Sequence, residues 1–336
     1  MKLAIIGCGL IGNKRAQAAS AAGLELVAAC DSIYAKAEEL CALYGGKAFV
    51  DPKDVFLSDA DIVNIAVTHD RLAQLALSAL EAGKHLLLEK PGARNPLELA
   101  KVAELARQRG LKVKVGYNHR FHPSFIKAKE LKDSGALGPL MYIRGRYGHG
   151  GRLGYEKEWR MVKETSGGGE LLDQGSHLID LALWFLGDVS RVSGYLPNYY
   201  WKAEVEDNAF MILESQGGQC AFLHASWTEW KNMFSFEIAG RDAKLAIDGL
   251  GGSYGTEQLS YFKMLPSMGP PETTIWQYPF PDKSWQLELS ELVSAIKENR
   301  NPVGGVDEAL EILKITEQLY MQQKFTQRGS THNDHN

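Results

Sequence analysis

Residues 1–31 read MKLAIIGCGLIGNKRAQAASAAGLELVAACD, and this stretch decides the fold of the first part of the chain. Lys2 to Ile6 is a short apolar run that suits a strand buried on both faces. Gly7-Cys8-Gly9-Leu10-Ile11-Gly12 follows it and opens a helical stretch that stops at Gly23. Leu24 to Cys30 predicts a second strand, with Asp31 at its end, 19 residues past Gly12. Glycines spaced G-x-G-x-x-G between a strand and a helix make a tight turn, allow close backbone approach, and set a pyrophosphate against the helix N-terminus. A carboxylate at Asp31 accepts hydrogen bonds from ribose hydroxyls and repels a 2′-phosphate, which favours NAD over NADP. The plain alternative is a glycine turn in an α/β protein that binds no cofactor.

The same rhythm continues outward. Ala35 to Tyr44 predicts a helix closed by Gly45-Gly46. Ile62 to Val67, His85 to Leu88 and Val113 to Tyr117 predict strands, separated by helices at about 71–82 and 96–108. Strands so uniformly apolar belong to a doubly wound parallel sheet flanked by helices, a Rossmann arrangement over residues 1–118. After Asn118 the pattern changes. A helix at about 123–133 and a strand from Leu140 to Tyr147 precede a glycine- and charge-rich loop, Gly148 to Thr165. A helix from about Glu170 to Leu186 is stopped by Gly187. Hairpins follow: Ala209–Glu214 with Cys220–Trp227, and Phe234–Ala239 with Ala243–Asp248. Strand-like Gln258–Met264 and Thr273–Tyr278 lead to helices at about 284–298 and 306–323. Residues 119–325 therefore read as an α+β domain with a large, mostly antiparallel open sheet, and 326–336 as a polar tail. Aromatic usage agrees with the division: all seven tryptophans follow residue 150.

At 336 residues the chain exceeds one comfortable core. Its 37 basic and 41 acidic side chains leave a net charge of −4, with no basic footprint for nucleic acid. No apolar run approaches the roughly 20 residues that span a bilayer. The N-terminus begins like a signal peptide but runs into the glycine turn where a small-residue cleavage site belongs. Cys8, Cys30, Cys41 and Cys220 are scattered without a CxxC pair, so they read as buried thiols in a reducing compartment, with no metal site or disulfide frame. The expected location is the cytoplasm.

Two further patterns carry chemistry. Gly167-Gly168-Gly169 leads into a helix on which Asp173, His177 and Asp180 fall at i, i+4 and i+7. A polar stripe on a helix otherwise made of Leu171, Leu172, Ile179, Leu181 and Leu183 is either an internal hydrogen-bond network or a site. The glycines favour a site, by letting backbone approach a ligand. In Leu88-Glu89-Lys90-Pro91, Glu89 and Lys90 stand at the carboxyl end of a parallel strand, where ligands bind in this architecture, although a solvated lysine fits there equally well.

Gly7–Gly12, Glu89-Lys90-Pro91, Asn118-His119-Arg120-Phe121, Trp159-Arg160 and the Gly-Gly-Gly-x3-Asp-x3-His run together resemble the Gfo/Idh/MocA oxidoreductases, in the same order over about residues 1–325. The resemblance implies an NAD-binding Rossmann domain followed by a substrate-binding and oligomerisation domain. It implies Lys90, Asp173 and His177 as catalytic residues: the active-site lysine, the substrate-orienting aspartate and the general acid/base. Cofactor contacts would come from Gly7, Gly9, Leu10, Ile11, Gly12, Asp31, Thr68, His69, Glu89, Lys90 and Arg160. Substrate contacts would come from Asn118, Arg120, Arg152, Trp159, Asp173 and His177. One loop departs from the family pattern. Relatives usually carry Thr-Pro-Asn and then a histidine, whereas this chain has Thr68-His69-Asp70-Arg71-Leu72-Ala73.

The implied activity is hydride transfer between NAD and a secondary carbinol of a sugar, a sugar derivative (nucleotide-linked sugars included) or a cyclic polyol. An NAD-dependent glycosidase with transient oxidation, or a non-catalytic dinucleotide-binding regulator, would use the same scaffold. Retention of Lys90, Asp173 and His177 together argues against the regulator. The family's open sheet is often a subunit contact. Alternating Phe222, Trp227, Trp230, Phe234 and Phe236 suggest an exposed face there, so a homodimer or homotetramer is expected.

Overall fold

The computed structural model describes residues 1–330. Its contacts divide into two compact units. The first comprises residues 1–121, 164–167 and 283–313; the second comprises 122–163, 168–282 and the chain from 314 onward.

The first unit begins β1 (Lys2–Ile6), α1 (Leu10–Ala21), β2 (Glu25–Cys30), α2 (Tyr34–Tyr44), β3 (Lys47–Phe49) and α3 (Pro52–Phe56). It continues with β4 (Ile62–Ile65), α4 (His69–Glu81), β5 (His85–Leu88), α5 (Pro96–Arg109) and β6 (Val113–Val115). All six strands are parallel, in the order β3-β2-β1-β4-β5-β6. Every residue of β4 is buried, as an apolar strand covered on both faces should be. Helix ends follow local chemistry. The Asn95 side chain caps α5 by accepting from Glu98 N at 3.0 Å, Pro96 sits in the first turn, and Gly110 closes the helix at φ 66°. β3 and α3 escape a reading by periodicity because neither is long enough to show a period. β4 and β6 end two residues before the sequence suggests, where the chain leaves the sheet at its carboxyl edge.

The chain returns to this unit late. α9 (Ser284–Lys297) and the first turns of α10 (Val306–Ser330) belong to it, whereas a single cut at residue 118 assigns them elsewhere. Leu289 and Leu292 enter the core formed by Leu3, Ile5, Ala16 and Leu40. A buried charge cluster accompanies them. Arg15, 1% exposed, donates from Nε to Glu89 Oε1 and from Nη1 to Glu288 Oε2, each at 2.5 Å. Its guanidinium lies 4.4 Å from the centre of the Trp285 ring, and Lys114 Nζ is 3.8 Å from Glu288.

The second unit contains α6 (Pro123–Asp133), β7 (Leu140–Gly148) and, beyond a loop, the short α7 (Lys163–Ser166), whose last three residues belong to the first unit. α8 (Ser176–Leu186) and seven strands follow: β8 (Val189–Tyr195), β9 (Asn208–Ser215), β10 (Cys220–Ser226), β11 (Met233–Gly240), β12 (Ala243–Asp248), β13 (Glu257–Lys263) and β14 (Glu272–Tyr278). The sheet order is β14-β13-β12-β11-β7-β10-β9-β8, antiparallel except for β7 with β10. β8 goes unread in the sequence because VSRVSGY offers only Val192 to the core. Gly145 on β7 is needed for close packing: a Cβ there would lie 3.0 Å from Leu223 and Phe236 and 3.2 Å from Leu178 of α8.

Several expectations change. Of the five aromatics assigned to an exposed face, Trp227, Phe234 and Phe236 are buried, because the alternation turns them to the core; Phe222 and Trp230 are exposed. Cys8 and Cys30 are buried, but Cys41 and Cys220 are only partly so. The helix expected from Glu170 begins as one wide π-helical turn, Leu171–Gly175, before α8. α10 runs to Ser330, past the residue-325 boundary of the expected polar tail, and the rest of that tail (331–336) lies outside the described residues. Among the described residues no helix is long and apolar enough to cross a membrane.

Candidate active site

In the first unit the candidates lie where parallel strands end. The three glycines after β1 differ in purpose. A Cβ on Gly7 (φ 94°) would sit 2.2 Å from Ala66 O, and one on Gly12 would sit 1.9 Å from Gly7 O. Packing alone demands those two. Gly9 meets nothing within 4 Å, so its face is open to a ligand. α1 starts without a side-chain cap and without an acidic residue in its first turn, leaving N–H groups available to an anion. Leu10 is exposed and Ile11 half-buried beside them.

Asp31, at the end of β2, is fixed by this turn: Oδ2 accepts from Cys8 N at 2.8 Å and Oδ1 from Ile33 N at 2.9 Å. A carboxylate keeps further lone pairs for ribose hydroxyls. Burial and the Asp31 charge push the Cys8 thiol up to about 12, so it stays protonated and inert. An open glycine face, an uncapped helix start and an oriented carboxylate fit a dinucleotide.

Past β4, half-buried Thr68 begins α4, and the His69 ring, 5% exposed, lies with Nδ1 2.8 Å from Ser166 O. The histidine that replaces proline is thus tied through Nδ1 to the Ser166 carbonyl. Glu89 belongs to the Arg15 cluster, and Lys90, half-buried, follows it. Beyond β6, Asn118 donates to Ser284 Oγ at 2.8 Å, and Arg120, 3% exposed, to Glu308 at 2.6 Å. The sequence expectation of substrate contacts gives these two no such inward partners.

In the second unit the π-turn and α8 carry the other candidates. Gly168 and Gly169 do not leave room for a ligand, as the sequence suggests. A Cβ would lie 2.0 Å from Tyr320 Oη in the first and 2.1 Å from Glu206 O in the second. Glu206 holds the turn in place, accepting from Gly169 N, Leu171 N and Tyr320 Oη at 3.0, 3.1 and 2.7 Å; its burial raises its pKa.

Exposure falls along the stripe. The Asp173 side chain is 14% exposed, while His177 is 6% and Asp180 0% exposed. Asp180 and His177 are buried, and Asp173 is partly exposed. Arg160 Nε is 3.4 Å from Asp173 Oδ2, and its guanidinium lies 4.6 Å from the centre of the Trp159 ring. Burial opposes the Arg160 charge most strongly, but Asp173, Tyr155, Glu158 and Glu170 together outweigh it and keep the arginine firmly charged. Arg152 is exposed and paired with Glu158.

Tyr147, Tyr254 and Gln174 are absent from the sequence-derived set. The Tyr147 ring lies 6.1 Å edge-to-face from His177 and 5.0 Å from Tyr254, and Gln174 Nε2 donates to Tyr254 Oη at 3.0 Å. Burial pushes the Tyr254 hydroxyl up to about 12, so it is a neutral donor and acceptor at neutral pH. Alternation along β7 places Tyr147 on the same face as Ile143, but Tyr254 lies in a glycine-rich loop without a period. Among the described residues no group of three or more His, Cys, Asp or Glu is arranged to hold a metal ion.

Residues 1–117 match the model of an oxidoreductase family with an NAD-binding Rossmann fold, and residues 125–246 match the GFO/IDH/MocA C-terminal domain. A D-glucoside 3-dehydrogenase of Escherichia coli K12 is 32% identical over 193 residues, 56% of this chain; the match spans about half of that relative, 54% of its length. A scyllo-inositol 2-dehydrogenase (NAD(+)) of Bacillus subtilis 168 is 26% identical over 90% of this chain and 88% of its own. A solved levoglucosan dehydrogenase, in complex with NADH and levoglucosan, superposes with a TM-score of 0.88 at 20% identity, covering 96% of this chain and 97% of that one, which establishes the shared fold. With both domain models matched in order and the fold reproduced, the chain belongs to the Gfo/Idh/MocA oxidoreductase family.

Proposed function

We propose that this protein is an NAD-dependent dehydrogenase that oxidises a secondary carbinol of a sugar, sugar derivative or cyclic polyol, or reduces the corresponding ketone. The observation that carries the reading is the placement of Asp173, partly exposed, four residues before a buried imidazole, His177, in a mostly apolar helical stretch. The two dehydrogenase relatives support it. The bound nicotinamide supplies the hydride acceptor. His177 takes the proton of the substrate hydroxyl; an imidazole suits this because its ordinary pKa, about 6.5, lies near operating pH. Lys90 donates a hydrogen bond to the oxygen as negative charge develops. Asp173, with Arg160 and Trp159 beside it, holds neighbouring hydroxyls.

Gly7, Gly9, Gly12 and the α1 N-terminus hold the pyrophosphate, with Leu10 and Ile11 at its side. Asp31 takes the ribose and selects NAD over NADP, and Thr68 borders the ring. Glu89, Asn118 and Arg120 act as struts of the first unit, and Arg152 is a recognition residue for an anionic substituent. Residues 1–118 bind cofactor, while 119–325 bind substrate and mediate a homodimer or homotetramer in the cytoplasm.

The test pairs turnover with melting in His177→Ala. NADH formation on a panel of sugars and inositols should fall by about 10²–10⁴-fold, with the fold and NAD affinity nearly intact. A variant that melts like the parent and turns over at the parental rate removes His177 from the mechanism. Sugar hydrolysis without net NADH formation would refute the dehydrogenase reading.

A further inference from the structure

The second unit carries a groove of about 650 Å³ that the proposed chemistry does not use, lined by Glu156 and Met161 on one side and by the 198–204 loop on the other. Two of its residues, Tyr199 and Tyr200, are 64% and 57% exposed. The edge of the Tyr200 ring meets Trp230, itself 62% exposed, with centroids 4.7 Å apart. Three large rings left in water need a reason.

The loop that carries the tyrosines is anchored by hydrogen bonds. Fully buried Asp207 accepts from the backbone N–H groups of Tyr199, Tyr200 and Trp201 at 2.9, 2.7 and 3.0 Å. Trp201 Nε1 donates to Trp227 O at 3.0 Å, which anchors the loop to the core. Trp230 is held at φ 54°, a conformation that costs a bulky residue energy and is retained where a side chain must be presented. The groove adjoins the proposed catalytic residues along the chain: Arg160 contacts Asp173, and the next residue, Met161, lines the groove. The Tyr155 ring continues the connection, 5.5 Å from Trp201, with Asp173 and Arg160 both acting on its hydroxyl.

We propose that this groove is a subsite for a second sugar ring, so that the substrate is a glycoside of more than one ring rather than a free monosaccharide. A pyranose offers apolar C–H faces to the tyrosine and tryptophan rings and hydroxyls to the rim, where Glu156 and Glu204 accept. Lys202 lines the groove beside these carboxylates and can donate to the same hydroxyls, and the volume suits one or two rings. This inference rests on the dehydrogenase reading, and the experiment separates the two.

Kinetics of the parent, Tyr200→Ala and Trp230→Ala are measured with glucose, maltose and cellobiose. The Asp207 grip is on backbone N–H groups, so Tyr200→Ala leaves the loop in place. Expected is a KM for one disaccharide about tenfold below that for glucose, matching the usual worth of ring stacking. Either substitution should bring the two KM values together, with kcat and the glucose KM unchanged. Equal KM values in the parent, or a preference that survives both substitutions, overturns the subsite and leaves the dehydrogenase standing. Tryptophan fluorescence titration with the same sugars covers the converse. Quenching by a disaccharide in the parent but not in Tyr200→Ala, without oxidation of any sugar or inositol in the panel, upholds the subsite and refutes the dehydrogenase. No binding of either disaccharide overturns the subsite. Light scattering that shows the variants falling to a smaller species also overturns it, by making the rings a contact between copies of this chain.

Discussion

Replacing Arg15 with methionine tests the buried charge cluster of the first unit. Methionine keeps most of the aliphatic volume but removes both 2.5 Å contacts, to Glu89 and to Glu288. The cluster pairs two cations, Arg15 and Lys114, with two carboxylates, and Arg15 is 1% exposed. Its removal leaves an uncompensated negative charge out of water. Breaking a buried pair in this way costs about 3–5 kcal/mol. Lys114 stays 3.8 Å from Glu288, which moves the expected loss to about 3–4 kcal/mol. At roughly 2–4 °C per kcal/mol for a unit of this size, melting should fall by about 6–16 °C.

The assay is thermal unfolding of Arg15→Met, Glu288→Gln and the double variant. The double variant should melt above Arg15→Met, because the orphaned charge is gone, and that non-additivity is the signature of a coupled pair. If Arg15→Met melts within about 2 °C of the parent, the cost assigned to orphaning a buried carboxylate is wrong. If all three variants add independently, the residues do not form one network.

Asp31→Ser should narrow the preference for NAD over NADP, because serine removes the charge opposing a 2′-phosphate; calorimetric titration of both cofactors reads it, and parental selectivity in the variant would refute the role. Stability should also depend on acid. Burial pushes Glu257 and Glu308 upward, but His122 and Ser124 on the first, and Arg120 with the Gly304 and Gly305 N–H groups on the second, hold both below the usual carboxylate range. A carboxylate lowered by folding contributes stability above its unfolded pKa of about 4.3 and loses it as pH falls through the folded value. Melting should therefore decline below about pH 4.5, and Glu257→Gln should show a shallower acid limb from a lower starting point; parallel curves would refute the assignment.

Five strands of the parallel sheet were legible because they are short apolar runs set between glycine-stopped helices, whereas three-residue β3 showed no period. The antiparallel hairpins were legible for the same reason, through their glycine turns. β8 was not, since a strand at a sheet edge with only Val192 buried leaves no period to read. Asp173 and His177 stood out as polar residues on an apolar helix, while Tyr254 sits in a loop and Tyr147 looks like any inward aromatic of a strand. The glycines before α8 were read as room for a ligand, whereas the close neighbours of Gly168 and Gly169 are Tyr320 and Glu206. Arg15 carried a signal that composition hides: it shares a helix face with Gly12, Ala16 and Ala19, where an unpaired charge has no place. Nothing local names Glu288 as its partner, because the two lie 273 residues apart.

That separation orders events on the ribosome. Arg15 and Glu89 are both made early, yet Glu288 and the α9 side chains that cover them emerge about 200 residues after Glu89. At roughly 5–20 residues per second, the parallel sheet waits about 10–40 s for its last wall. During that interval a guanidinium and the apolar flank of α1 face water, or whichever chaperone meets the nascent chain. A fragment ending at residue 121 would be arrested in that state permanently. Expressed alone, it should be recovered mainly as aggregate, and co-expression of a segment carrying residues 283–313 should return it to the soluble fraction.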